Sequence, residues 1–572
     1  MSQILLPSAP EFRQLPPPAI RSLRASVLDG AFAQLMASLT SGFLLTGFAV
    51  ELGMREAQIG LLAALPAFGN LSQLLGPALV ARWGSRKAMA VRLAAAARLL
   101  WLVMLFLPFV SLPAAVLFLG AIALNSLLGA LSGVAWMAWM AEVVPEQVRG
   151  RFFGHRNMVA GLVGMVGAWS GGQFIDYWRA RLVPAAAGWP TAVATLVTRP
   201  GAEFSVVYAV ALGAGLASLA FLSRVAEPSA AAGAAAMPEG PDGVARAEVS
   251  AMAEPAVGSP GAVLATVFSD PPFRKLLTFG VVWAFAVGIG GPFIDLYQVR
   301  NLGLPFGVLA LLGVVNGLFN ILGMRIWGEF SDRWGTLPAL AISSAGAAVL
   351  PLLWVFATPG AWGILWPANA LSGLSWAGVG LVSSTLLMKM APREKSAAYF
   401  GTYAALTGLA GAVAPAVGGY LGSLLSSARL TFGGRELEGL QILFLITAVA
   451  RMLSLALLRG VRPPREPSPE QLLEALQSAR IRVVQPAVLA AGQWAQYGMA
   501  TAENLSAAVS RGSLAMEAQV ESLVQLGERM VARADRAWSR WVERSERLCA
   551  RWINGVFDRM EQALARLRRW WE

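Results

Sequence analysis

The sequence predicts an all-α polytopic membrane protein with twelve transmembrane helices in two pseudosymmetric six-helix bundles, followed by a C-terminal amphipathic helical tail. Three observations predict this fold class. The composition is strongly apolar, apolar segments long enough to cross a bilayer recur along the chain, and the two halves of the chain repeat each other.

The composition favours a membrane protein over a large soluble core. Of the 572 residues, 56% are hydrophobic and only 14% are charged, and the mean hydropathy is +0.58. Soluble domains carry about 25% charged residues. Because backbone polar groups in lipid need internal hydrogen-bond partners, apolar runs of this length are expected to be helices.

Twelve apolar spans follow one another, and each is long enough to cross a hydrocarbon core of roughly 30 Å at ~1.5 Å per residue. They are predicted over residues 28–50, 58–80, 88–110, 113–141, 156–178, 204–224, 276–299, 305–328, 337–357, 361–390, 398–425 and 439–459.

The spans divide the chain into five predicted parts. These are a cytoplasmic N-terminal tail (1–27), an N-terminal six-helix bundle (28–224), a cytoplasmic linker (225–275), a C-terminal six-helix bundle (276–460) and a cytoplasmic amphipathic helical tail (461–572). Most of the linker is rich in Ala, Gly and Pro, which is typical of a flexible connection.

The Lys and Arg residues predict the orientation. The loops between spans 2 and 3, 4 and 5, 8 and 9, and 10 and 11 are basic, whereas those between 3 and 4 and between 9 and 10 contain no Lys or Arg. The positive-inside rule then places both termini in the cytoplasm of a multi-pass protein of the cell's inner membrane.

Charge and residue counts exclude several function classes. The net charge of +12 resides mostly at helix ends and in the tail, which indicates contact with anionic lipid and no nucleic-acid partner. With one Cys and one His, no Cys/His metal centre is expected, and we predict no cofactor. No phosphate-binding loop of the Gly-x-x-x-x-Gly-Lys-Ser/Thr kind occurs, and no cluster of catalytic side chains points to an enzyme.

The second half of the chain repeats the first. The segment that begins at Pro145 matches the segment that begins at Pro392, with glycines aligned at one constant offset. The aligned glycines are Gly154/Gly401, Gly161/Gly408, Gly164/Gly411, Gly171/Gly418 and Gly172/Gly419. Duplication of a six-helix unit is typical of secondary transporters, whose halves rock about a site at the membrane midplane.

Two copies of an Arg-Trp-Gly turn carry a family resemblance. "GEFSDRWGT" runs from Gly328 to Thr336, after span 8, and "ARWGSRK" runs from Ala81 to Lys87, after span 2. With the duplication and topology, they make residues 25–460 resemble the major facilitator superfamily (MFS), whose loop signature is Gly-x-x-x-Asp-Arg-x-Gly. The residues that match it are Gly328, Asp332, Arg333 and Gly335 in the second copy, and Arg82 and Gly84 in the first.

The resemblance implies a transporter that works by alternating access, with a substrate site between the halves and the signature loops as a cytoplasmic latch. Pseudosymmetry then places Asp332 near Arg149, Arg151 and Arg156 at the start of helix 5. Ala81 stands where the first copy would need Asp, so we expect an asymmetric latch. The alternative is that Asp332 and Arg333 only cap helix 8 and fix topology.

Polar side chains within the spans are the candidates for substrate binding or coupling, because burying them in lipid is costly. Asp29 opens span 1, with Gln34 further in; Asp29 is either a protonatable coupling carboxylate or an N-terminal cap. Asp295 lies near the outer end of span 7, where Pro292 and flanking glycines predict a broken helix. There, Tyr297 and Gln298 are candidate hydrogen-bond donors to substrate, and the alternative for Asp295 is a loop pair with Arg300.

Five amides and three tryptophans are further candidates. The amides, Asn70, Asn125, Asn316, Asn320 and Asn369, either line a cavity or bridge neighbouring helices. Trp136, Trp139 and Trp376 form either an aromatic wall or packing contacts. Arg98 and Arg451 lie inside spans 3 and 12, where each can pair with a carboxylate, bind an anion or extend to the interface.

The glycine-rich stretches of spans 5 and 11 resemble the antiporter signature Gly-Pro-x-x-Gly-Gly of the superfamily, which weakly favours export. The better match, at Pro415, lies on span 11, whereas the antiporter form places the signature on span 5. Small residues also allow close helix contact whatever the transport direction.

The tail carries apolar residues at helical spacing from about residue 512 onward, opposite a face rich in Arg and Glu, and ends in "RLRRWWE". This pattern predicts one or two amphipathic helices, which either lie on the inner leaflet or associate with a second copy; the remaining alternative is an unstructured tail.

The predicted function is secondary active transport of a small organic molecule, with proton coupling left open. The alternative is a membrane scaffold or assembly factor that keeps the fold without transport.

Overall fold

The computed structural model describes residues 12, 15–110, 113–227, 267–392, 395–432 and 435–461. The predicted tail lies outside the described residues, except for Val461, and so does most of the linker. Within the described residues, eleven helices are long and apolar enough to cross a membrane. The remaining predicted span, 58–80, is built from consecutive helical segments.

The first half consists of six helical units, three of which are interrupted. Their bounds are α1a Pro17–Leu39, α1b Gly42–Glu51, α2a Glu56–Leu71, α2b Gly76–Trp83, α3a Arg86–Leu99, α3b Trp101–Phe106, α4 Ala114–Val143, α5 Glu146–Tyr177 and α6 Ala202–Leu222. Short helical turns join α2a to α2b and follow α3b and α5, and a short helix at Thr191–Val197 precedes α6.

The second half repeats this plan and adds a small hairpin. Its bounds are α7a Pro271–Gly290, α7b Phe293–Leu296, α8 Phe306–Trp334, α9 Thr336–Val355, α10 Leu365–Met390, α11 Ser396–Leu425, β1 Arg429–Phe432, β2 Arg435–Glu438 and α12 Leu440–Leu455. A π-helical turn, Tyr297–Asn301, continues α7b. The two strands pair antiparallel, with Arg429 opposite Glu438.

Three helices begin five or more residues earlier than the hydropathy pattern predicts. Helix α1a begins at Pro17 instead of residue 28, α5 at Glu146 instead of 156, and α7a at Pro271 instead of 276. Proline suits the first turn because its fixed φ is helical and its missing N–H has no partner there anyway. Asp270 completes the start of α7a by accepting a hydrogen bond from the Phe273 amide at 3.2 Å.

The same helix pairs form in both halves, which confirms the internal repeat at the level of packing. In the first half, α1 packs on α5 and α6, and α4 packs on α2 and α3; in the second, α7 packs on α11 and α12, and α10 packs on α8 and α9. The halves meet mainly through α2 against α11 and α5 against α8.

The hydrophobic cores differ between the two ends of the molecule. We call the end that holds Gly84 and Gly335 the signature end, and the end that holds Glu56 and Arg300 the distal end. At the distal end one apolar cluster joins both halves, and in it the rings of Phe204 and Phe306 lie 5.7 Å apart. The described apolar clusters nearer the signature end each belong to one half. The halves are therefore joined at the distal end.

The two Arg-Trp-Gly turns have the same backbone cause. Gly84 and Gly335 adopt φ values of 68° and 96°, which glycine reaches without the steric penalty of a Cβ atom. Each ends one membrane helix and lets the next begin within one or two residues. The side chains of Ala81 and Arg333 lie outside the described part of the structure.

Candidate functional site

A polar pocket of about 310 Å³ lies in the second half, beside the break in α7. It is lined by Phe43, Val287, Gly291, Ile294, Asp295, Gln298, Leu309, Leu312, Gly313, Leu350, Trp354, Ala368, Asn369, Ser372, Trp376 and Arg451. Most of these side chains are apolar or aromatic, and a few polar groups stand among them, which is the usual make-up of a small-molecule site.

Two interrupted helices bring backbone and side chains to this pocket. Helix α7a ends at Gly290 and α7b begins at Phe293, so the break predicted at Pro292 is confirmed. Helix α1 is also interrupted, at Thr40 and Ser41, before α1b begins at Gly42. A Cβ atom built on Gly42 would lie 3.9 Å from Oδ2 of Asp295. The carboxylate thus lies beside the N-terminal end of α1b, where the helix dipole favours negative charge.

Arg451 reaches the same pocket from α12 and is 3% exposed. Its guanidinium donates to the carbonyl oxygens of Ala347, at 2.9 Å, and Val287, at 3.3 Å. It also lies 5.8 Å from the ring centroid of Trp376, within cation–π range. Its Nε is buried and has no hydrogen-bond partner among the described residues.

Three of the ten sequence candidates line this pocket: Asp295, Gln298 and Asn369. Arg451 and Trp376, for which the sequence left two roles open, also line it. Sequence reasoning missed Ser372 and Trp354, because a serine or tryptophan in an apolar span gives no signal that separates a pocket from a packing contact.

Several other candidates make packing contacts instead. Tyr297 donates to the Ala357 carbonyl at 2.7 Å. Asn316 and Asn320 donate to carbonyl oxygens of α10, those of Asn369 at 3.3 Å and Gly373 at 3.2 Å. These contacts match the helix-bridging alternative for both amides.

The remaining candidates lie in the first half, away from the pocket lining. Asn70 accepts a hydrogen bond from Gln73 at 3.1 Å, and Gln34 is exposed. Asn125 is half-buried on α4. The indole of Trp139 donates to the Ala226 carbonyl at 3.1 Å.

Asp29 is not an N-terminal cap, because α1a begins twelve residues before it. Its carboxylate is buried and accepts hydrogen bonds from Ser218, at 2.5 Å, and Arg156, at 3.3 Å. Arg98 donates to the Ser218 hydroxyl at 2.9 Å, which ties α3 to the same cluster. We call Asp29, Arg98, Arg156 and Ser218 the buried charge cluster.

This cluster also corrects the expected environment of Arg156. Pseudosymmetry predicts this guanidinium at the cytoplasmic latch near Asp332. In the structure it lies 4.7 Å from the ring centroid of Trp136 and donates to the Ser26 carbonyl at 3.1 Å. Its helix begins ten residues earlier than predicted, so Arg156 lies inside the bundle. Asp332 is exposed at the signature end, and the latch itself stays a prediction.

At the distal end, the halves are held together by polar contacts that we call the distal seal. Arg300, on the turn after α7b, forms an ion pair with Glu56 of α2a. Asp176 of α5 accepts hydrogen bonds from the amides of Phe306, at 2.9 Å, and Gly307, at 2.7 Å, in the first turn of α8. In the pseudosymmetric position, Ser423 of α11 accepts one from the Ala57 amide of α2a at 3.2 Å.

The glycine-rich stretches of α5 and α11 form part of the same seal. A Cβ atom on Gly172 would lie 2.6 Å from the Phe306 carbonyl oxygen, and one on Gly419 would lie 2.7 Å from that of Glu56. The small residues that resemble an antiporter signature therefore allow the halves to approach closely at the distal end.

Of the two pseudosymmetric contacts in the seal, the one at Asp176 has a charged acceptor and the one at Ser423 a neutral acceptor, so their removal should weaken the seal by unequal amounts. Hydrogen bonds to charged groups contribute about 1.5–3 kcal/mol and neutral ones about 1 kcal/mol. We expect Asp176→Ala to increase the population with an open distal end by about tenfold or more, and Ser423→Ala to increase it by about fivefold or less. The measurement is the labelling rate of a pocket cysteine, Ser372→Cys, by an impermeant thiol reagent on the distal side, with Cys549 replaced by serine.

Asp270→Asn is the matched control, because Asp270 caps its own helix and bonds Tyr399 of the same half. It should leave the labelling rate unchanged. Equal rates for Asp176→Ala and Ser423→Ala would contradict the predicted asymmetry.

Comparison with known proteins supports the fold. The profile of the Major Facilitator Superfamily matches residues 30–415 and 291–516. The structure resembles the nucleoside transporter NupG, with a TM-score of 0.55 and 12% identity over 78% of this chain and 99% of that one. It also resembles a bacterial homologue of the iron transporter ferroportin in an inward-facing state, with a TM-score of 0.53 and 14% identity over 78% and 99% of the two chains.

A curated relative is the tetracycline resistance protein, class H, of Pasteurella multocida. It is 28% identical over 163 residues, which make up 27% of this chain and 38% of that protein. The match thus spans less than half of the relative's length. The superfamily profile covers most of the chain, and the repeated bundles agree with it. The chain therefore belongs to the major facilitator superfamily of transporters and is an integral multi-pass membrane protein.

Proposed function

We propose that the protein is a secondary active transporter that moves a small organic molecule by alternating access, with the pocket beside the α7 break as its substrate site. The observation that carries the proposal is the joining of the halves at the distal end, next to a polar pocket that lies beside the interruptions of α1 and α7. Irregular backbone within a membrane is tolerated where it lines a cavity, and it offers unpaired polar groups to a ligand.

The proposed orientation of the protein in the membrane follows from the distribution of its basic residues. The signature end carries the basic loops, so it faces the cytoplasm, and both termini lie there. The joined distal end then faces outward, and this arrangement is an inward-facing state of the transport cycle. The distal seal has to open in the other state, because substrate crosses from one side to the other.

The buried charge cluster is the proposed coupling element. Asp29 is its one carboxylate, and it is held between two guanidinium-bearing helices and Ser218. A proton on Asp29 removes the charge that holds Arg156 and so links protonation to the packing of α1 on α5. Export is weakly favoured over import by the glycine-rich match on α11 alone. The tetracycline resistance relative matches too little of its length to transfer a substrate.

Distance measurements between spin labels test alternating access without knowledge of the substrate. Each of two cysteine pairs joins α4 to its pseudosymmetric mate α10 or to the residues just before α10. Val116 with Gly363 reports on the distal end, and Ala141 with Met388 reports on the signature end. All four positions are exposed, and Cys549, the single native cysteine, is first replaced by serine.

In liposomes, we expect two distances for each pair, with the longer distal distance accompanying the shorter signature distance as pH or ligand changes. The same cysteines report orientation, because an impermeant reagent outside the cell should label position 116 and spare position 141. A single fixed distance at both ends under all conditions would instead support the scaffold alternative.

A further inference from the structure

We propose that the ligand of the pocket is a small zwitterion, whose cationic group meets Asp295 and whose anionic group meets Arg451. The inference rests on the proposed function and names the substrate class of the same site.

Within the described residues, Asp295 lacks a charged or hydrogen-bonding partner. Its carboxylate lines the pocket, yet among the described residues no basic side chain lies within ion-pair distance of it and no group donates a hydrogen bond to it. The expected loop partner, Arg300, forms an ion pair with Glu56 across the distal seal instead. The negative charge therefore faces the cavity, helped by the nearby N-terminal end of α1b.

Arg451 likewise has no carboxylate partner in the described part of the chain. Two backbone carbonyls and the face of Trp376 hold its guanidinium in place, but they do not neutralise it. Its Nε is buried without an acceptor. A guanidinium carries five N–H donors in a fixed fork, so donors remain to bind an anionic oxygen.

The opposite charges of Asp295 and Arg451 share one cavity without pairing with each other. An unpaired charge within a membrane-spanning segment is costly, and such residues usually face one another or a functional cavity. A ligand with both charges would satisfy the two groups at once. A ligand with a single charge would satisfy one group and leave the other unpaired.

The volume and the lining residues of the pocket restrict the class of ligand further. A volume of about 310 Å³ lies at the lower end of the roughly 300–1,000 Å³ range of small-molecule pockets, which suits a molecule the size of an amino acid. Trp354, Phe43 and several aliphatic side chains line the rest of the pocket. They favour a zwitterion with an apolar or aromatic side group.

The test measures ligand affinity on the full-length protein in lipid nanodiscs. The probes are L-leucine, L-phenylalanine and L-tryptophan, each with its decarboxylated amine and its deaminated acid, measured by thermal stabilisation and calorimetry. We expect at least one zwitterion to bind about tenfold or more tightly than both of its single-charge analogues, because each analogue leaves a buried charge unpaired.

Two substitutions assign the charges separately. Asp295→Asn should reduce the preference for the zwitterion over the deaminated acid. The preference for the zwitterion over the decarboxylated amine should persist, because it depends on Arg451. Arg451→Gln should reduce the preference for the zwitterion over the amine and leave its preference over the acid. If Arg451→Gln fails to fold, Arg451→Lys replaces it and should retain part of the preference over the amine. Glu329→Gln is the control, since Glu329 lies outside the pocket lining and pairs with Arg325 on α8, and it should change neither preference.

The assignment is overturned if no zwitterion of the panel binds, or if a zwitterion and its single-charge analogues bind equally. Either result leaves the spin-label distances as a separate test of transport. If those distances still show two states, transport stands and only the substrate class is wrong.

Discussion

Replacing Gly60 by alanine is expected to shift the protein towards a state in which the distal end is open. Gly60 lies on α2a where it crosses α11, and a Cβ atom there would lie 2.3 Å from the Pro415 carbonyl oxygen and 2.8 Å from Cα of Gly419. Both are backbone atoms of the other half, so no side chain can rotate away. The two helices have to separate for the methyl group to fit.

The size of this effect follows from the cost of overpacking, which is about 1–3 kcal/mol. Because the strain exists only in the state with the distal end closed, the equilibrium should move by roughly fivefold to a hundredfold towards distal opening. The spin-label pair at Val116 and Gly363 measures the population with the longer distance.

The matched control is Gly213→Ala on α6, where the added Cβ would meet no described atom within 4 Å. That variant should give the distances of the parent protein. If Gly60→Ala also left the distances unchanged, the contact between α2 and α11 would not belong to a gate that opens.

The second large effect is expected in the buried charge cluster, where Asp29→Ala should destabilise the protein more than Arg156→Ala. Removal of one partner of a buried ion pair costs about 3–5 kcal/mol, because the other charge is left without compensation. Without Asp29, both Arg156 and Arg98 lose their nearby carboxylate. Without Arg156, Asp29 keeps its hydrogen bond from Ser218, to which Arg98 also donates.

Thermal unfolding of the purified variants in detergent, monitored by the loss of the helical signal, shows which of the two substitutions destabilises the protein more. The double variant should be less destabilised than the sum of the single changes, since the two residues contact each other. Glu436→Ala is a control, because Glu436 forms an exposed pair with Arg429 on the hairpin, and its removal should cost little. Equal losses for Asp29→Ala and Arg156→Ala would mean that Arg98 does not depend on Asp29.

The two effects test different parts of the transport cycle. Gly60→Ala acts where the halves separate, whereas Asp29→Ala acts inside one half. A transporter needs both, because the halves move as rigid bodies only if each remains packed. The proposed substrate pocket lies in the second half and the proposed coupling cluster lies in the first. Coupling between them therefore has to cross the contacts between the two halves, which are mainly those of α2 with α11 and α5 with α8.

The sequence by itself determined the features that depend on local chemistry. Apolar length predicted the membrane helices, although proline starts such as Pro17 moved their ends. Aligned glycines predicted the repeat that the helix packing confirms, and Gly335 marked a turn because few other residues adopt its φ. Pro292 predicted the break in α7, since proline lacks the amide that a continuous helix uses.

Tertiary structure decided which distant groups meet. Nothing near Asp29 in the chain indicates that Arg156 and Ser218 are its partners, because these lie on other helices more than a hundred residues away. In the same way, Arg300 could have paired with Asp295, but packing of α7 against α2 gave it Glu56 and left Asp295 facing the pocket. Local sequence encodes where a helix begins, bends and ends. The partner of each buried charge depends on how the helices pack, and that packing set the substrate site proposed for this protein.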